Sequence, residues 1–77
     1  MVIEEVAHDR TFTTMCISGL SVAEVNEILD GRADALCDVL ERHGEGSLAT
    51  CWKCGYGIYS IRHCGENVFV QIGNSCD

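Results

Sequence analysis

The sequence predicts an α+β fold in which one amphipathic helix packs on an antiparallel sheet, with the elements in the order ββαβββ. Three observations support this prediction: an alternating N-terminal stretch, a central segment of helical periodicity, and a C-terminal part where the period returns to two. A chain of 77 residues has room for one small domain, which covers residues 1–77.

The first two strands are expected to form a short N-terminal hairpin. Val2–Val6 has a weak strand pattern, whereas Thr11–Ile17 alternates and is rich in β-branched side chains, which favours a strand. The polar residues His8–Arg10 lie between the two segments and are typical of a turn.

The central segment carries the clearest pattern. Ser21 and Glu24 match a capping box at a helix start, and Gly44 suits the left-handed residue that ends a helix. Gly31, in the middle, costs about 1 kcal/mol relative to alanine, and Arg32 falls on the apolar side. Because the apolar and acidic residues keep their phase across this point, we predict one continuous or gently kinked helix.

The C-terminal part is predicted to contribute three strands. From Ser47 onwards apolar and polar residues alternate, and glycine-containing turns at 55–57 and 65–67 divide the segment. The expected strands are Leu48–Trp52, Gly57–His63 and Asn67–Ile72.

The charge of the chain is strongly acidic and regional. Twelve acidic and five basic residues give a net charge of −7, and the whole excess lies in residues 1–46. Such a chain is not attracted to nucleic acid or anionic membranes by its overall field. No apolar run approaches the roughly 20 residues of a membrane span, and no signal-peptide pattern opens the chain. We therefore expect a cytoplasmic protein.

The acids of the predicted helix fall on one side of it. Like charges three and four residues apart oppose helix formation by up to about 0.5 kcal/mol per pair, which suggests a use beyond an ordinary solvated face. We predict that this acidic stripe occupies a basic, nucleic-acid-binding surface of a partner protein, with its carboxylates standing in for phosphates. Its members are Glu24, Glu27, Asp30, Asp34, Asp38 and Glu41.

The predicted function is thus a non-enzymatic, protein-binding inhibitor. No Ser/His/Asp arrangement has a supporting context and no phosphate-binding glycine pattern is present. In size and charge the chain is similar to small acidic phage-encoded inhibitors, anti-CRISPR proteins among them, a likeness of composition that rests on no motif. A homodimer is also compatible with the sequence, because a small sheet leaves edges and one face in need of cover.

The six cysteines support two alternative functions. Cys51-Trp52-Lys53-Cys54 has the CxxC form of a zinc knuckle. The expected topology brings four cysteines to one end of the sheet, which predicts a zinc-stabilised structural or interaction module. Its ligands would be Cys16, Cys51, Cys54 and Cys76. The simpler hypothesis is that these cysteines are small buried hydrophobic residues or reduced thiols. A disulfide between two of them is a third hypothesis.

The second alternative is a CxxC thiol redox protein. In thioredoxin-like sites the cysteine pair opens a helix, whose dipole lowers the thiol pKa. Here Gly55 and a predicted strand follow Cys54, so that helical context is missing from the sequence.

Overall fold

The structure, a computed structural model, describes residues 1–53 and 57–73 of the chain. Its four strands form one sheet with the order β1-β2-β4-β3, in which all neighbouring strands are antiparallel. The predicted α+β class, with helical structure packed on an antiparallel sheet, is confirmed. The elements are β1 (Val2–His8), β2 (Phe12–Ser18), α1 (Val22–Arg42), α2 (Gly46–Lys53), β3 (Ile58–Cys64) and β4 (Asn67–Gly73).

The predicted N-terminal hairpin is confirmed. β1 and β2 pair in a register that places Val2 opposite Ser18. The turn between them is closed by Asp9, whose Oδ1 accepts hydrogen bonds from the backbone N–H groups of Thr11 and Phe12, each at 2.7 Å. These two bonds favour the ionised carboxyl and hold the pKa of Asp9 below its ordinary value.

The helices connect two strands that are not neighbours. β2 and β3 lie on either side of β4, and because each is antiparallel to β4 they run parallel to each other. This crossover carries both helices over one face of the sheet, where they enclose the core.

Both ends of α1 match the sequence prediction. At the start, the Ser21 hydroxyl accepts a hydrogen bond from the Glu24 backbone N–H, and the Glu24 side chain accepts from the Ser21 backbone. At the other end, Gly44 has a φ of +81°. The Glu45 N–H donates to the Leu40 carbonyl at 2.8 Å, as in a Schellman motif.

The middle of α1 contradicts the prediction of one continuous or gently kinked helix. Arg32 has φ 59° and ψ −135°, which lies outside the helical region. Arg42 donates a hydrogen bond to Glu27, and His43 Nε2 lies 2.8 Å from Glu24 Oε2. In a straight helix fifteen residues rise about 22 Å, too far for these side chains to span. The chain therefore reverses direction at Arg32, and segments 22–31 and 33–42 lie side by side.

The side chain of Arg32 explains why the chain reverses at this residue. In a continuous helix its side chain would point into the core, and burying an unpaired guanidinium is costly. At the break Arg32 is exposed. The phase of the apolar residues persists because each segment buries its own apolar side in the same core. Equal phase on both sides of a glycine is thus no proof of continuity.

A glycine is required at position 31 because the backbone there lies close to the side chain of Ala35. A Cβ placed on Gly31 would lie 2.6 Å from the Cβ of Ala35, closer than real Cβ atoms approach. The break itself falls one residue later, at Arg32.

The predicted strand Leu48–Trp52 is wrong, since these residues belong to helix α2. Ala49 and Trp52 are only 2% and 5% exposed, and their spacing of three is that of a helix face. The Thr50 hydroxyl donates to the Gly46 carbonyl at 3.0 Å, a bond that lets threonine fit within a helix. A short apolar run does not distinguish strand from helix by periodicity alone.

The core lies between the helices and one face of the sheet. The fully buried large side chains are Ile17, Ile28, Leu36, Val39, Leu40, Val68 and Val70. Within residues 1–53 and 57–73, no helix has the length and apolar character needed to cross a membrane.

The opposite sheet face is covered by neither helix of the described chain, and we call it the open face. Side chains alternate along a strand. The residues next to the buried Ile17, Ile61, Val68 and Val70 therefore point to the open face, and so do the residues paired with them on neighbouring strands. The open face includes Glu4, Thr14, Cys16, Ser60, Arg62, Phe69 and Gln71.

Gly31→Ala is expected to destabilise the fold. In an ordinary helix interior this change gains about 1 kcal/mol, but here the new methyl group meets the Ala35 side chain at 2.6 Å. We expect a lower midpoint in urea unfolding followed by circular dichroism. A stabilised variant would contradict the reversal, because only a continuous helix would accept the methyl group.

Arg32→Gly is expected to stabilise the fold by about 1 kcal/mol, because glycine adopts a positive φ without the steric penalty of a side chain. The same unfolding measurement checks this result. In a continuous helix the substitution would instead cost about 1 kcal/mol, so the sign of the change decides between the two.

Candidate functional site

Two of the three acids in the first segment of α1, Glu24 and Glu27, are engaged within the molecule. Glu24 Oε2 lies 2.8 Å from His43 Nε2, and its side chain is only 19% exposed. Glu27 accepts a hydrogen bond from Arg42 Nη2 in a more exposed pair. The basic groups come from the end of the second segment, so these contacts close the helical reversal.

The pKa values of these groups reflect the pairing. The hydrogen bond from His43, with that from the Ser21 backbone, holds the pKa of Glu24 below its ordinary value. The hydrogen bond to Glu27 raises the pKa of Arg42, and the negative charges of Glu24 and Asp38 add to the effect.

The acids in the second segment of α1 are arranged differently. Asp34, Asp38 and Glu41 are exposed and follow one another at spacings of four and three, which puts them on one side of the helix. None of the three forms an ion pair with another described residue. They extend over about 10 Å of helix, and we call them the acidic face.

The linear stripe of six acids is therefore not present. A straight helix would have spread Glu24 to Glu41 over about 26 Å, but the reversal at Arg32 puts the members on two antiparallel segments. Asp30 is exposed at the end of the first segment. The sequence identified the acids, but it gave no sign that Arg42 and His43 would pair with two of them across fifteen or more residues.

Only two of the four predicted zinc ligands, Cys16 and Cys51, lie within the described residues. Cys16 is half-buried on the open face, whereas Cys51 is exposed on α2, on the other side of the sheet. Cys54 and Cys76 lie outside the described residues. In the parts that the structure describes, no three His, Cys, Asp or Glu side chains are grouped so that they could hold a metal ion.

The zinc module accordingly stays a prediction. Cys16 and Cys51 are not brought together, so a site containing both would need a different arrangement of these elements. Native mass spectrometry of protein purified without chelator tests it directly, because the mass of the bare chain would exclude a bound ion.

The redox prediction also extends beyond the described residues, through Cys54. Cys51 lies in the last turn of α2 rather than at a helix start. A helix start is where the dipole favours a thiolate.

The open face carries a shallow depression that the sequence analysis did not identify. It has a volume of about 240 Å³ and is lined by Thr14, Ser60, Arg62, Phe69 and Gln71. The Ser60 hydroxyl donates to Gln71 Oε1 at 2.8 Å, which leaves the Gln71 amide N–H groups available. The alternation of the strands marks these residues as one face, but only the register brings them together.

The pH dependence of stability should reflect Glu24. Because folding lowers its pKa, the stabilisation is complete above the ordinary glutamate value of 4.5 and is lost as the pH falls below it. Glu24→Gln removes the charge and keeps an acceptor for the capping box. We expect this variant to be less stable than the parent protein near neutrality, with the difference shrinking below pH 4.5 in urea unfolding curves.

Glu41→Gln is the matched control for that measurement, since Glu41 is exposed and has no ion-pair partner within the described chain. The role of the Glu24–His43 pair would be rejected if both variants had the same pH profile.

The described chain thus offers two surfaces, the acidic face on the second segment of α1 and the open face of the sheet. Comparison with protein-family models, with curated proteins and with solved structures found no match to this chain.

Proposed function

We propose that this protein is a non-enzymatic binding protein that places its acidic face against a basic, nucleic-acid-binding surface of a partner protein. The observation that supports the proposal is the exposure of Asp34, Asp38 and Glu41 on one side of a helix. Within the described chain no cation neutralises them by an ion pair.

The chemistry of such a surface suits carboxylates. Arginine and lysine side chains that bind phosphates also bind carboxylates, and arginine does so through two parallel hydrogen bonds. Neighbouring acids on a helix have Cβ atoms about 5–6 Å apart, so each can engage a separate basic side chain. The protein would act by competing with nucleic acid for that surface.

The six acids have different roles in this proposal. Asp34, Asp38 and Glu41 make the direct contacts, and the exposed Asp30 adds to the negative field. Glu24 and Glu27 act indirectly, because their bonds to His43 and Arg42 hold the two helical segments together. We assign the interaction to the cytoplasm, the compartment that the sequence predicts.

Salt dependence is a direct consequence of this mode of binding. Exposed charges interact over a Debye length of about 8 Å at physiological ionic strength. The association rate should therefore fall as salt is added, while the dissociation rate changes less.

The experiment is a comparison of two charge-changed variants. The protein is used to capture binding proteins from the cell in which it acts, and the affinity of the identified partner is then measured. We expect Asp34→Lys/Asp38→Lys to lose at least about tenfold in affinity, equivalent to about 1.4 kcal/mol, and to lose most of the salt dependence. Nucleic acid should displace the parent protein from the partner.

The control is Glu5→Lys/Glu66→Lys, which changes the net charge equally at two exposed sites outside the helices. It should bind the partner with an affinity close to that of the parent protein. Equal losses in both double variants would indicate a general charge effect, and an unchanged affinity of Asp34→Lys/Asp38→Lys would remove the proposal.

A further inference from the structure

The open face presents apolar groups that the described helices do not cover. Phe12 and Tyr59 pack their rings together with centroids 4.5 Å apart, yet Tyr59 remains 68% exposed. Phe69 and Cys16 lie side by side on the two central strands and are half-buried. These side chains form a small apolar patch within an otherwise polar face, and an exposed apolar patch with a polar rim is a feature of contact surfaces.

The charges of this face lie in one row across the strands. Cross-strand pairing gives the order Glu4, Cys16, Phe69, Arg62 from β1 to β3. Glu4 and Arg62 are thus on opposite edge strands, about 14 Å apart at three strand spacings. Neither forms an ion pair within the described chain. The row is neutral overall but has a negative and a positive end.

We propose that the open face binds a second copy of this chain, face to face, about a twofold axis parallel to the strands. This rotation lays β1 of one copy over β3 of the other. Glu4 then meets Arg62 of the second copy, and the symmetry makes the same contact twice. Cys16 of each copy lies over Phe69 of the other, so the apolar centre of the row packs on itself.

The charges select this axis over its alternative. A twofold axis across the strands would stack Glu4 on Glu4 and Arg62 on Arg62, which is repulsive. Opposite charges of the two copies therefore meet only when the twofold axis is parallel to the strands. This self-complementarity is what favours a second copy over an unrelated partner.

The net charge of −7 does not oppose this assembly. The acidic face lies on the helices, across the sheet from the open face, and a packed layer is about 10 Å thick. Two such layers and both sheets separate the acids of the two copies by more than the Debye length of about 8 Å. The interface therefore forms between neutral surfaces, and both acidic faces remain available.

The size of the face sets the expected strength. Four strands of seven residues cover about 19 Å by 23 Å, a projected area of about 440 Å² per copy. For the two copies together this is about 880 Å², below the roughly 1,200–2,000 Å² of stable specific interfaces and in the range of weak, transient ones. We therefore expect a dimer that dissociates on dilution rather than an obligate one.

The test is sedimentation velocity over a range of protein concentrations. The parent protein should shift from the mass of one chain, 8.4 kDa, to twice that mass as the concentration rises. Glu4→Arg and Arg62→Glu should each weaken the dimer at least tenfold, since each puts like charges together at two positions. The double variant Glu4→Arg/Arg62→Glu restores both contacts with the charges exchanged, and should recover most of the affinity.

The control is Glu45→Arg, which changes the net charge as Glu4→Arg does but lies at the end of the helical layer. It should dimerise like the parent protein. Circular dichroism on each variant separates a lost interface from a lost fold. A parent protein that stays monomeric at every concentration, or a double variant no better than the single ones, would overturn the proposal.

The test does not depend on the proposed function. The acidic face and the open face carry different residues, so Asp34→Lys/Asp38→Lys should leave the dimer intact. Loss of dimerisation in that variant would contradict the separation of the two surfaces.

Discussion

The reversal of the chain at Arg32 is the constraint on which the rest of the structure depends. A straight helix of 21 residues would be about 31 Å long, whereas strands of seven residues extend only about 23 Å. Such a helix would overhang the sheet and leave apolar residues in water. Folded back on itself, it lays two short segments over the same core. The energetic cost is one residue at positive φ, on the order of 1–3 kcal/mol.

The same reversal divides the acids of the helix into two groups. Glu24 and Glu27 meet the basic end of the second segment and become part of what holds the segments together. The acids beyond the turn form no ion pair in the described chain, and the charge of Arg42, which is bonded to Glu27, acts on Asp38 from four residues away. A row of acids that is uniform along the sequence thus becomes two internal ion pairs and one external surface.

The sequence predicts correctly those elements that depend on interactions between residues close together in the chain. The capping box at Ser21, the left-handed Gly44 and the alternation of β2 and β4 each depend on residues a few positions apart, and the structure has them where expected. The apolar run of α2 predicts a strand because it is too short to distinguish a period of two from a helical period. The phase of the apolar residues does not distinguish a straight helix from a reversal, and only Arg32 on the apolar side indicates the break. The depression on the open face needed the strand register, which the sequence does not contain.

The separation of charge between the two layers also affects how the molecule approaches another surface. Six of the twelve acids lie on α1, whereas Glu4 and Arg62 balance each other on the open face, so the described residues carry a dipole moment from one layer to the other. In the field of a positively charged surface such a dipole experiences a torque, which turns the helical layer forward before contact. Pre-orientation of this kind shortens the rotational search that limits protein association. The fold would then increase the fraction of productive encounters without any additional contact.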